Sequence, residues 1–141
     1  MAEIDREDVP ALLLEMVPEA AEHIAGLYEM PAVEAVKTEH PDVDTFDLLG
    51  DALAQPIIIP QLRSETPNAD LLQRCFDYTE LLVKSPSSSL REGAYFQILE
   101  ALLGEDVPYA KAFPYMRPYT RQQALKMLDH YAVERPEGAE S

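Results

Sequence analysis

Apolar residues recur along this chain at helical spacing, and the densest such stretch runs from Ser88 to Gly104. Between Ala94 and Leu103 only Gln97 and Glu100 are polar. At 100° per residue both fall on one narrow edge, so the remainder of that helix is expected to be covered by protein. Ser89 and Glu92 have the spacing of a capping box, and Gly104 stands where a left-handed closing residue is wanted. The segment before it has a cleaner pattern. Thr66 is expected to cap a helix opening at Pro67. Its apolar face is Leu71, Leu72, Cys75, Phe76, Tyr78, Thr79, Leu82 and Val83, and its polar face Asp70, Gln73, Arg74, Asp77, Glu80 and Lys84. Asp70 with Arg74 and Glu80 with Lys84 are acid-first pairs four apart, each worth about 0.2–0.5 kcal/mol. The link from Ser85 to Ser88 is too short for anything but a reversal, so these two helices are expected to form an antiparallel hairpin and the nucleus of the fold.

The remaining elements are shorter. Asp8, Val9 and Pro10 begin a helix with Leu12, Leu13, Met16 and Val17 inward, and Pro18 ends it by lacking an amide hydrogen. Pro18 to Glu29 is a second helix or a kinked continuation of the first, with two short helices favoured, facing inward with Ala21, Ile24, Ala25 and Tyr28, and Met30 to Pro41 a loop with one helical turn. A helix with an acidic outer face follows, its apolar stripe Val43, Phe46, Leu49, Leu53 and Ala54. The isoleucines between Pro56 and Pro60 have strand propensity but no partner strand, so a short helix or an extended core-filling segment is expected. Asp106 and Pro108 open a short helix including Ala110 and Phe113, and Pro118 opens the last one, with Ala124, Leu125, Leu128 and Tyr131 inward. The fold class is therefore all-α: a single domain, 1–133, of about seven helices in consecutive antiparallel hairpins, as a HEAT-like α-solenoid or a helical bundle. Residues 134–141 form an acidic tail expected to be disordered.

Charge adds an asymmetry. The chain carries a formal −15, and residues 1–55 hold fourteen acids against two bases, whereas 56–141 hold twelve against nine. Val107 to Leu128 contains Lys111, Arg117, Arg121 and Lys126 and no acid. Such a field repels nucleic acid and attracts basic partners. The acidic amino terminus lacks the order of a secretion signal, and no apolar run approaches the ~20 residues that span a bilayer, so a cytoplasmic protein with no membrane partner is expected.

Candidate chemistry is sparse. Asp42, Asp44 and Asp47 begin like a calcium loop, but Asp47 and Leu53 stand where an EF-hand wants glycine and glutamate. His23, His40 and His130 have no zinc-helix spacing, and Cys75 lies on an apolar face where a thiol is a small hydrophobe. No nucleophile elbow, phosphate loop or dinucleotide fingerprint occurs, so no cofactor, no metal and no enzymatic activity are expected. Tyr109, Phe113, Tyr115 and Tyr119 with Lys111, Arg117 and Arg121 have the residue types of a base-stacking surface, but four cations on so acidic a chain give little counterion-release affinity, and no nucleic-acid partner is expected.

Two binding surfaces remain. Glu34, Glu39, Asp42, Asp44, Asp47 and Asp51 form an acidic ridge that fits the lysines and arginines of a basic protein. Tyr115, Arg117, Tyr119 and Arg121 are the alternative, on a helical scaffold or adaptor that holds a peptide in a groove between hairpins. The succession QPIIIPQL, ADLLQRCFDYTELLVKS, LREGAYFQILEALLGED and PYMRPYTR resembles, from Asp51 to about Arg121, a family of uncharacterised bacterial all-helical domains. Arg117 stands where that family has a glycine. Its members resemble small proteins encoded beside secreted or contact-dependent toxins. The resemblance implies an immunity-type protein, monomer or homodimer, that neutralises a basic toxin domain, and it assigns no binding residues.

Overall fold

The computed structural model describes residues 8–37, 45–103 and 109–131; among them every regular element is a helix and there is no strand. In chain order these are α1 (Val9–Met16), α2 (Ala21–Tyr28), α3 (Ala32–Ala35), α4 (Thr45–Leu49), α5 (Ile59–Arg63), α6 (Ala69–Val83), α7 (Ser88–Gly93), α8 (Tyr109–Ala112) and α9 (Pro118–His130). Two stretches widen into π-helix, Gly50–Ile58 between α4 and α5 and Ala94–Leu99 after α7, and a 3₁₀ segment, Glu100–Leu103, follows the second. The run 45–63 is thus continuous helix, as is 88–103.

The apolar face of α6 is the one read from the pattern: Leu71, Leu72, Cys75, Phe76, Tyr78, Thr79, Leu82 and Val83 are all buried. Fully covering a side chain of leucine or phenylalanine size stabilises by about 1.5–3 kcal/mol, which makes α6 the main apolar wall of the core. It packs against α1, α7, the π segment after α7, and α9. Cys75 is one of its core residues, and burial, the largest influence, pushes its thiol up to about 12. The cap, however, is Asn68, whose side chain accepts from the Leu71 amide at 3.0 Å; Thr66 lies two residues upstream and takes no part. The following helix is likewise capped by Ser87, accepting from Leu90 N at 3.4 Å, and not by Ser89 with Glu92. Both shifts have one cause: each capping region holds more than one capable residue, and spacing alone does not choose among them.

Pro18 does separate α1 from α2, through a 3₁₀ turn at Pro18–Ala20, and the 30–41 segment does contain one helical turn, α3. Glu29 closes α2 in the left-handed region, at φ 57° and ψ 39°. The isoleucine run is helical, and Ile57, Ile58 and Ile59 are all buried. Pro56 offers no amide hydrogen, and its ring would press on the carbonyl four residues back in a tight α-turn; it sits inside the wider π segment. The two long runs cross closely. A β-carbon added at Gly93 would lie 3.0 Å from Leu49 Cδ1, and one at Gly50 would lie 2.7 Å from Gln97 Oε1. Glycine at these positions leaves room for the Leu49 and Gln97 side chains where the two runs cross.

The helix 88–103 is central on one side only. Leu90, Gly93, Ala94, Ile98, Leu99 and Leu102 are buried, but Phe96 is 45% exposed. Tyr131, expected inward on the last helix, closes α9 as its C-cap and is 43% exposed. Phe96 lies four residues from Glu92 and four from Glu100, so helical phase alone sets it on the polar side of this run, opposite Ala94 and Ile98. Gly104, the Asp106–Pro108 helix start, Pro41, Val43 and the 134–141 tail lie outside the described residues.

Polar contacts join α1 to α6. The Tyr78 hydroxyl, fully buried, donates to the Val9 carbonyl at 2.7 Å, and burial raises its pKa well above the phenolic norm. Arg74 donates to both Glu19 oxygens at 2.7 and 2.8 Å, to Asp70 at 2.9 Å and to the Met16 carbonyl at 3.1 Å. That fork satisfies an end carbonyl of α1 and holds the Glu19 carboxyl down to about 2, the hydrogen bond from Arg74 being the largest cause. Because this folded-state value lies below the ordinary 4.5, the linked stability is present above about pH 4.5 and is lost as pH falls toward 2. Glu19→Gln should therefore narrow the gap in urea midpoint between pH 6 and pH 2.5, with wild type losing more over that window; parallel midpoints for the two proteins would show that the pair contributes nothing.

Candidate functional site

The turn between α8 and α9 gathers one of the two predicted surfaces. Phe113–Tyr115 is a 3₁₀ turn, Met116 and Arg117 are extended, and α9 begins at Pro118 with no side-chain cap of its own. Arg117 has φ −81° and ψ 170°, extended backbone that asks for no glycine at this position. A helix that opens without a cap leaves amides unsatisfied, and here they face α6. Glu80 meets them. One of its carboxylate oxygens accepts from Thr120 N and Thr120 Oγ1, both at 2.8 Å, and the other accepts from Tyr119 N at 3.2 Å. The expected Glu80–Lys84 pair is thereby displaced: Glu80 is buried, and Lys84 Nζ lies 5.5 Å from the centre of the Tyr119 ring. A carboxylate at a helix amino terminus gains from the free amides and from the helix dipole together, which outweighs an exposed ion pair.

The neighbouring side chains are stitched to the same helix. Arg117 Nε donates to Asp77 Oδ1 at 2.8 Å, and Gln73 Nε2 bridges Asp77 and the Tyr115 carbonyl at 2.9 and 3.0 Å. The Asp77 carboxylate raises the Arg117 pKa. Tyr115 is half-buried and stacks on Phe76, ring centres 6.4 Å apart. Arg121 Nη2 donates to the Phe113 carbonyl at 2.8 Å while its guanidinium lies over the Phe113 ring. Tyr115, Arg117 and Arg121 thus each have an internal partner, and Tyr119, 52% exposed, presents its ring outward.

Of the acidic ridge, Glu34, Asp47 and Asp51 are exposed, on α3, on α4 and at the start of the first π segment; Glu39, Asp42 and Asp44 lie outside the described residues. Asp47 is near enough to Tyr28 to add, after desolvation, to the upward shift of that phenol. Beside them on the surface Val33 is 58% exposed. His23 Nε2 lies 3.5 Å from Glu22 at the surface, and His130 packs edge-on against Tyr131. Among the described residues no group of three or more His, Cys, Asp or Glu side chains is gathered as metal ligands, and no helix is long and apolar enough to cross a membrane.

One cluster escaped the sequence reading. Tyr95 and Phe96 meet edge to face at 5.1 Å, His130 and Tyr131 do the same at 5.0 Å, and the Tyr131 hydroxyl donates to Glu100 Oε2 at 2.9 Å. That hydrogen bond is the largest of the causes raising the Tyr131 pKa. The bonded pair is 31 positions apart, a separation that spacing along the chain does not reveal.

No protein-family model, curated protein or solved structure matches this chain.

The role of Glu80 is testable by stability. Glu80→Ala removes a charged acceptor from two amides and a hydroxyl and should cost about 2–4 kcal/mol in denaturant unfolding. Tyr119→Ala, which keeps its amide, should stay within about 0.5 kcal/mol of wild type. Equal costs for the two variants would remove Glu80 from its place as the cap of α9.

Proposed function

We propose that this chain is a non-enzymatic binding protein of the immunity type, cytoplasmic, whose acidic amino-terminal surface docks a basic protein such as a toxin domain. The observation that carries the reading is where the opposite charges go. The first 55 residues hold −12 of the −15, and Glu34, Asp47 and Asp51 within them are exposed on helical backbone. In the second half, Arg74, Arg91, Arg117 and Arg121 turn onto carboxylates or carbonyls of the same chain. Four of the nine cations of residues 56–141 are thus turned onto partners in the same chain, while the first 55 residues keep a large excess of acids. Acids carried on helices form a pre-positioned complement to lysines and arginines, favouring fast, salt-sensitive association and blocking a basic cleft without chemistry. A HEAT-like stacking of helix pairs would give that surface its stiffness. The alternative, a scaffold holding a peptide against Tyr115, Arg117, Tyr119 and Arg121, rests chiefly on the outward Tyr119 ring.

Partners captured from the native cells at low salt and then purified separate the two readings. Glu34→Lys, Asp47→Lys and Asp51→Lys together should weaken binding roughly 10- to 100-fold and flatten its salt dependence, while Tyr119→Ala leaves it unchanged. Affinity indifferent to the three reversals and lost on Tyr119→Ala would replace the acidic-surface reading with the peptide one.

A further inference from the structure

We propose that the exposed rings of Phe96, His130 and Tyr131, with the partly buried Tyr95 beside Phe96 and the Glu100 carboxylate bonded to Tyr131, are a second docking surface that receives an arginine side chain of a partner protein. It does not depend on the acidic surface proposed above.

Phe96 and Tyr131 are large rings left 45% and 43% exposed, whereas most other large apolar side chains among the described residues are buried. They come from separate elements, the π segment Ala94–Leu99 and the end of α9, and the bond from Tyr131 Oη to Glu100 Oε2 ties those elements together. Two edge-to-face pairs order the rings on either side. The arrangement therefore costs little further entropy when a ligand arrives.

The charge of the site selects the occupant. Glu100 supplies a carboxylate held in place on one side by Tyr131. Glu92 is exposed one turn before Phe96, and the carbonyl end of α9, partially negative, closes at Tyr131. Of the nearby cations along the two elements, Arg91 is turned onto the Ser85 carbonyl and Lys126 lies one turn before His130. Aromatic faces beside a carboxylate suit a guanidinium, which stacks flat on rings and donates to both carboxylate oxygens, whereas an ammonium is a hydrated point charge.

The test is an NMR titration of the full chain with N-acetylated hexa-arginine amide and, at the same salt, with hexa-lysine amide. The resonances of residues 95–100 and 130–131 should shift saturably, with arginine binding at least about threefold tighter than lysine. Phe96→Ala and Tyr131→Ala should each abolish that preference, and Asp47→Asn with Asp51→Asn should leave it intact. Equal affinity for the two peptides, shifts confined to the acidic surface, or concentration-dependent shifts of these rings without peptide accompanied by dimer sedimentation would overturn the proposal.

Discussion

A helix that starts inside a protein must find acceptors for its first amides, and α9 has none in its own sequence: Arg117, Pro118 and Tyr119 offer no capping oxygen. Glu80 provides both oxygens from α6, forty residues earlier. An unpaired carboxylate in that setting would be costly to desolvate, and unpaired amides would be costly too. Each removes the cost of the other, so α6 and α9 have one favourable register. The turn 113–117 is then positioned as the chain between them, with Asp77 and Gln73 holding it from one turn earlier on α6.

The same helix organises the other side of the molecule. Arg74 takes the end of α1 and Glu19, and Tyr78 takes the Val9 carbonyl. From Gln73 to Glu80, the polar residues of α6 reach mostly across to other elements instead of outward to water. An amphipathic helix in a small bundle is usually read as apolar inside and solvated outside; here the polar face is the set of attachment points for α1, the 113–117 turn and α9.

That explains which parts of the fold were legible. The apolar face of α6, eight residues long, follows from period alone, as do the break at Pro18 and the single turn of α3, because hydrophobic phase and proline act locally. Asp70 with Arg74 is also local and was found. Glu80 and Asp77 were assigned to the solvated face because a partner forty positions away leaves no trace in spacing. Asn68 and Ser87 lost to Thr66 and Ser89 on paper since each helix start offers several hydroxyls or amides. The π segments were not legible either. Pro56 signals a disturbance, but whether the backbone breaks or widens depends on what packs around it, here the close crossing marked by Gly50 and Gly93. The acidic ridge is legible as composition, and of its members among the described residues Glu34, Asp47 and Asp51 are exposed.

The phase of the run 88–103 keeps Ala94, Ile98 and Leu99 in the core while setting Phe96 at the surface. With α9 fixed at its beginning by Glu80, its far end is delivered to a set place, and Tyr131 meets Glu100 there. The aromatic cluster is thus the distal consequence of the cap: the cap sets where α9 starts, the length of α9 sets where Tyr131 falls, and the phase of 94–99 sets which rings lie on the surface there. A surface built by that chain of constraints is rigid because the core is rigid, and a rigid surface loses little entropy on binding.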